Sequence, residues 1–393
     1  MTAPGNDASR FVSRRLKSVP ASGIRKFFDL LSTIDDVISL GVGEPDYVTP
    51  EPIRRAAVES IQRGDTHYTS NYGLLELRER LAAHIERLYG VRYDPATEIV
   101  ITSGSSEALD VCLRAIIDPG DEVLCADPSY VAYLPATVMA GGEFVPVPTY
   151  AANDFRLLAA DVEAAMTGRS RALLLGYPAN PTGATMARED LLAIATVAER
   201  HDLPVVSDEL YDRMTYAGEH TCFAALPGMR ERTVIIGGFS KAYAMTGWRL
   251  GWVCAPARLA EAVMKVHQYV MMSAPTAAQY AGIAALDHGE AFVAEMVSEY
   301  DRRRRLIVDG FRAIGLPTFE PRGAFYAFPS IVGTGLDSTT FSEALLAEER
   351  VAVVPGSAFG ACGEGHVRAC YASGYEQIER ALERIGRFVQ RRR

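Results

Sequence analysis

The sequence reads as an α/β protein built on a mostly parallel sheet, with a smaller α+β part beside it. Three observations lead there. Short apolar, β-branched runs alternate with amphipathic helical stretches from Glu98 to Ala255, the pattern of a parallel sheet covered on both faces. After His267 the alternation stops, and a long helical stretch from about Ala291 to Ile314 leads into a mixed segment, Thr318 to Arg393. The chain has 393 residues, more than one typical domain. The expected division is a large unit over 51–287 and a smaller unit formed by 1–50 with 288–393, parting near Asp287-His288-Gly289.

Residues 1–20 are polar with scattered arginines and read as a mobile arm. A short helix is expected over Ile24–Leu31 and a short strand over Val37–Leu40, which runs into a Gly/Pro-rich loop ending at Pro50. Thr49-Pro50-Glu51-Pro52 resembles a helix start, with Thr49 as N-cap, for a helix over Ile53–Arg63. The loop Asp65–Gly73 precedes a helix over Leu74–Tyr89. Seven strand-like runs follow: Glu98–Thr102, Glu122–Ala126, Glu143–Val147, Arg171–Gly176, Pro204–Ser207, Thr233–Ile236 and Leu250–Ala255. Helical stretches at Ser106–Ile117, Tyr133–Ala140, Ala160–Met166 and Arg188–His201 separate most of them, and Gly237-Gly238 is expected to break the sixth run.

Hydrophobic residues make up 48% and charged residues 23%, ordinary for a water-soluble globular chain. The net charge of -9 argues against nucleic acid or an anionic membrane as the main partner. The basic run Arg302–Arg305 falls in a helical stretch and reads as a solvated face. Cys112, Cys125, Cys222, Cys254, Cys362 and Cys370 show no CxxC or metal spacing and read as reduced, buried thiols of a cytoplasmic protein. The start, MTAPGNDASR, lacks an apolar targeting segment, and no run reaches the ~18 apolar residues of a membrane span. The seven histidines show no HxxxH-type pairing, so no metal site is expected.

In open parallel sheets, ligands sit beyond the carboxyl ends of the strands. There the sequence offers Ser103-Gly104-Ser105-Ser106, a helix start suited to an anion, although serine also caps helices for structural reasons alone. Asp127-Pro128-Ser129-Tyr130 follows the next run, with Tyr130 either a stacking surface or a core aromatic. Asn180 stands between two prolines of its loop, which fix its backbone. Asp208 ends an apolar strand, where a carboxylate calls for a cationic partner, and Tyr211 lies three residues on, about one helical turn. Ser240-Lys241, with Arg249 eight residues beyond, lies at the mouth of the sheet; a lysine there is costly unless neutralised or bonded, and a surface loop is the bland alternative.

Taken together, LGVGEPD, YTSNYGLLELRE, SGSSEAL, DPSY, NPTG, SDELYD, GGFSKAYAMTGWRLG and GEGHVRACYA resemble the fold type I pyridoxal phosphate enzymes, specifically the class I/II aminotransferases of the aspartate aminotransferase superfamily and their gamma subgroup. The motifs stand in the family's order over nearly the whole chain. The resemblance implies a seven-stranded sheet in the large domain, pyridoxal 5'-phosphate as cofactor, and a homodimer with shared sites. It assigns Lys241 as the Schiff-base lysine, Asp208 to the pyridine nitrogen, and Tyr211 and Asn180 to the cofactor's phenolic oxygen. Tyr130 would stack on the ring. Gly104, Ser105, Ser106, Ser240 and Arg249 would form the phosphate cup, with Tyr68 reaching the neighbouring subunit's phosphate. Arg368 would hold the substrate α-carboxylate beside Gly43. Gly238 departs from the pattern, which often has serine there, and removes one hydroxyl from the cup.

The implied activity is transfer of an amino group between an L-amino acid and a 2-oxo acid in two half-reactions. A C–S β-lyase on the same fold, or a non-catalytic regulator, are the alternatives. Acidic-substrate members use a lysine and a hydroxyl where this chain has Ser106 and Ile24, so neutral or aromatic donors, or a long acylated diamino acid, are expected over aspartate. Tyr72 is expected to help line that pocket, and inward turning of Arg25 or Lys26 is the competing possibility.

Overall fold

The computed structural model describes residues 8–17, 19 and 36–392. The expected helix over 24–31 and the candidate residue Ile24 lie outside the described residues, as do Arg25 and Lys26.

The central element is a seven-stranded sheet of β2 (Ile99–Thr102), β3 (Glu122–Asp127), β4 (Glu143–Pro148), β5 (Ser170–Gly176), β6 (Val205–Asp208), β7 (Thr233–Gly238) and β8 (Gly251–Cys254). Their order is β2-β8-β7-β6-β5-β3-β4, and only β8 runs antiparallel to its neighbours. The inner strands are apolar on both sides because both sides are covered, whereas the edge strand β4 is largely exposed. In β7, Val234 and Ile236 join one core with Leu109 and Val263, while Ile235 joins the opposite core with Leu77 and Ala281. Each such side chain, fully buried, stabilises the fold by about 1.5–3 kcal/mol relative to exposure.

Eleven helices of seven or more residues occur among the described residues. They are α1 (Glu51–Arg63), α2 (Leu75–Tyr89), α3 (Ser105–Ile116), α4 (Tyr133–Ala140), α5 (Ala159–Ala165), α6 (Arg188–Arg200), α7 (Ala257–Val270), α8 (Thr276–His288), α9 (Glu290–Ala313), α10 (Ser338–Glu349) and α11 (Tyr375–Gln390). A separate apolar cluster joins α9, α10 and α11 to a three-stranded antiparallel sheet of β9 (Tyr326–Ala327), β11 (Val354–Pro355) and β12 (Val367–Cys370). The early chain enters this cluster through β1 (Ile38–Ser39), paired in parallel with β10 (Val351–Ala352).

Four local expectations are corrected. Gly237 and Gly238 do not break their strand: β7 runs through both, and a Cβ at Gly237 would stand 2.3 Å from Trp252 Cζ2, so this glycine makes room for the indole. Thr49 does not cap α1; its hydroxyl donates to the Ala244 carbonyl at 2.6 Å and accepts from Trp248 Nε1. The Arg302–Arg305 run is not simply a solvated face, because Arg303 is buried against Asp46 and Glu299, and Arg304 pairs with Asp301 and Glu320. Of the six cysteines, five are buried and Cys362 is partly exposed.

Candidate active site

The carboxyl ends of β2, β5, β6 and β7 converge on one cavity of about 240 Å³. Each strand delivers a different chemistry. Thr102 ends β2, and Gly104, with φ +84°, turns the chain into α3, so Ser105 and Ser106 begin the helix with their N–H groups unpaired within it. Arg249 lies over this turn: a Cβ on Gly104 would stand 2.6 Å from Arg249 Nη2, and Arg249 Nη1 donates to the Thr246 carbonyl. A helix N-terminus with a guanidinium beside it is an anion site by its dipole and its donors.

Asp208 ends β6 and faces the cavity. The cationic partner that its position called for is absent among the described residues. Instead Tyr133 donates its hydroxyl to Asp208 Oδ2 at 2.9 Å, and the Leu210 N–H donates to Oδ1. Burial pushes the carboxyl up to about 6, against the pull of these two bonds. Gly176 permits the tyrosine contact, since a Cβ there would stand 2.2 Å from Tyr133 Oη. Burial also holds the Tyr133 hydroxyl well above its usual range, so it stays a donor at neutral pH.

Lys241 follows β7 and the buried Ser240. Its Nζ donates to the Gly43 carbonyl at 2.6 Å and lies 5.8 Å from the centre of the Phe325 ring. Burial, aided by Arg368 and Arg249, pulls its ammonium down to about 8, near enough to neutrality for a proton acceptor. Arg368, on β12, reaches the same cavity from the other core. Its Nη1 donates to Asn180 Oδ1 at 2.9 Å and its Nη2 to the Gly41 carbonyl at 2.7 Å, while Nε has no partner among the described residues. The guanidinium is sandwiched between the Tyr326 and Phe359 rings at 4.5 and 4.9 Å.

Of the residues singled out in the sequence, Gly43, Ser105, Ser106, Tyr130, Asn180, Asp208, Tyr211, Ser240, Lys241, Arg249 and Arg368 line this cavity, and Gly104 lies against it through Arg249. Tyr211 does so from a turn rather than a helix, with its hydroxyl 2.6 Å from that of Tyr326. Tyr72 stands outside the lining and packs near Arg78. Tyr68 also stands outside it, 81% exposed on the surface of the chain. Sequence reading missed Tyr133 and Tyr326. Tyr133 lies one turn beyond Tyr130, but helical patterning alone could not tell which end of a tyrosine is satisfied by a carboxylate. Tyr326 sits in the aromatic run Gly323-Ala324-Phe325-Tyr326, and the tightness of Gly43 against its hydroxyl, 2.5 Å from a Cβ placed there, ties the two together.

The cavity thus holds an anion-binding end, a half-buried carboxylate, a lysine poised to lose its proton and an arginine held between two hydrogen bonds. Comparisons with known proteins give the family. The family described as aminotransferase class I and II matches residues 35–385. An aspartate aminotransferase of Pyrococcus abyssi is 45% identical over 385 residues, covering 97% of this chain and 99% of that protein. Aromatic-amino-acid aminotransferase 2 of Thermococcus litoralis is 44% identical over the same length and with the same coverage. The crystal structure of an aromatic aminotransferase from Pyrococcus horikoshii superposes with a TM-score of 0.89 at 47% identity, covering 93% of this chain and 99% of that one. With the family's pattern matched over residues 35–385 and the fold shared with relatives over nearly its full length, the chain belongs to the class I and II aminotransferases.

Proposed function

We propose that this aminotransferase works with pyridoxal 5'-phosphate and takes neutral, apolar or aromatic L-amino acids, or a long acylated diamino acid, as amino donors in preference to aspartate. The fit to the cofactor rests on chemistry present in the chain. The α3 N-terminus with Ser105, Ser106, Ser240 and Arg249 suits a phosphate, and Tyr130 offers a ring face. Asp208, a half-buried carboxylate with no cation beside it among the described residues, suits a protonated ring nitrogen. When bound, the cofactor supplies an electron sink that makes the substrate Cα proton removable.

The protein's own part follows from the geometry. Arg368 holds the α-carboxylate through two parallel donors and so orients the Cα–H bond. Lys241 Nζ, released from the Gly43 carbonyl, accepts the Cα proton and returns it at the other end of the transfer, and the second half-reaction runs the same steps with a 2-oxo acid. Asn180 and Tyr211 supply hydrogen-bonding groups at the same end of the cavity.

One observation carries the donor preference. The described lining contains three cations, Lys241, Arg249 and Arg368, and each already has a use; the remainder includes Leu109, Tyr130, Tyr133, Pro178, Leu210 and Tyr326. A side-chain carboxylate would lie there without a counter-charge, which is costly. The relatives do not decide the matter, since one named for aspartate and one named for aromatic amino acids are equally similar. The exposed Tyr68 supports a two-fold dimer in which it serves the partner's phosphate. Steady-state kinetics with a panel of donors test the preference. Aspartate exceeding phenylalanine, leucine, alanine and an N-acylated diamino acid by more than about tenfold in kcat/KM, ~1.4 kcal/mol in transition-state binding, would overturn it.

A further inference from the structure

The first turn of α3 carries a carboxylate close to where the cofactor reading puts a phosphate. Glu107 is the third residue of that helix. One of its oxygens accepts from the Ser103 N–H, at the turn leading into Ser105 and Ser106. The other accepts from His267 Nδ1 at 2.6 Å, across the gap to α7. The His267 side chain is 0% exposed and that of Glu107 9% exposed. A carboxylate only accepts, so Nδ1 must carry the proton, which fixes the imidazole tautomer.

Packing alone does not account for a histidine here. Its Nε2 has no hydrogen-bond partner among the described residues, and a buried polar atom left unsatisfied is destabilising. An aliphatic side chain would fill the space without that cost. What the imidazole gains is its bond to Glu107. Without it, a carboxylate would stand buried and half-bonded at a helix start that must also receive a multiply charged anion, and like charges at that distance repel.

We infer that His267 is a positioning residue for the anion-binding turn: it clamps Glu107, which ties down the Ser103 N–H and so fixes the Gly104-Ser105-Ser106 donors, and its Nδ1–H dipole screens the carboxylate from the bound phosphate. The inference rests on the proposed use of pyridoxal phosphate, and neither residue is itself part of the cavity lining.

The experiment compares the affinity of the apoenzyme for pyridoxal phosphate and for pyridoxal, which lacks the phosphate, by fluorescence titration. His267→Leu should weaken pyridoxal phosphate binding about 5–20-fold and leave pyridoxal binding within twofold. His267→Asn, which keeps a donor near the Nδ1 position, should recover most of the loss. In a Glu107→Gln background, where the charge to be screened is gone, His267→Leu should cost less than about twofold. Equal weakening toward both ligands, an unchanged pyridoxal phosphate affinity, or the same loss with and without Glu107 would each overturn the inference. Should His267→Leu fail to fold, the asparagine variant compared with Glu107→Gln/His267→Asn decides the coupling. Wild-type protein that fails to bind pyridoxal phosphate would instead overturn the cofactor reading beneath it.

Discussion

Replacing Lys241 by methionine should make the apoprotein more stable at neutral pH, and the gain should fade in alkali. The side chain is half-buried, and desolvation of its ammonium pulls it from 10.5 in the ordinary lysine to about 8 in the fold. At ~1.36 kcal/mol per pKa unit, that gap represents roughly 3 kcal/mol. Below pH 8 the folded and unfolded chains are both protonated at this site, so the whole cost is present. Between about pH 8 and 10.5 the unfolded chain still binds a proton that the folded chain has released, so stability rises with pH. Above that range both are neutral and the cost vanishes. Methionine occupies a similar volume without a charge, but it gives up the 2.6 Å bond to the Gly43 carbonyl. A net gain of about 1–3 kcal/mol is expected at pH 7, and the difference from wild type should shift by ~3 kcal/mol by pH 10.5. Urea unfolding of both apoproteins at matched pH values measures it, and taking the difference cancels every other titrating group. A variant less stable than wild type at pH 7, or a difference independent of pH, would refute the reasoning.

Tyr133→Phe removes one of the two bonds that hold the Asp208 carboxyl down, so that carboxyl should rise further above about 6, and kcat/KM should fall about tenfold, the worth of one hydrogen bond to a charged group. Arg368→Lys keeps a charge but loses the fork clamped by Tyr326 and Phe359; KM for the amino acid should rise by roughly a hundredfold, measured by initial rates across donor concentrations. Mixing Tyr68→Phe chains with Lys241→Ala chains should restore part of the activity, because a shared-site heterodimer puts both defects in one site and spares the other; sedimentation as a monomer with no recovery on mixing would rule the shared site out.

The sheet was readable because its strands are short apolar runs, and because burial of the inner strands on both faces leaves them no polar alternation to confuse. The helices α7 and α8 escaped reading. Alanines dominate Thr276–His288, and a helix buried on most sides lacks the amphipathic contrast that marks a surface helix. Gly237 shows the same limit from another direction: a glycine demanded by an indole packed over it is indistinguishable in sequence from one demanded by a turn. In the site, the residues at strand ends were legible because topology alone directs them to one cavity. Tyr133 and Tyr326 were not, since their importance lies in partners, Asp208 and Tyr211, that are 75 and 115 residues away in the chain.

The Gly41-Val42-Gly43 stretch has a consequence for how the site distinguishes its ligands. Two carbonyls of this one short segment are acceptors for the two groups that matter most: Gly41 for Arg368 and Gly43 for Lys241. Two of the five guanidinium N–H groups of Arg368 are thus occupied, on Asn180 and Gly41, while Nε has no partner among the described residues. On the proposed reading, a carboxylate that takes Nη2 from the Gly41 carbonyl gains only the difference between the two bonds. In that exchange the segment loses its bond to Arg368 and keeps the one from Lys241 to Gly43. The proposed anchor and the proposed base are thereby joined through a stretch of three residues. On the same reading, a simple amine that lacks a carboxylate offers the arginine nothing in exchange and leaves both bonds of the segment in place.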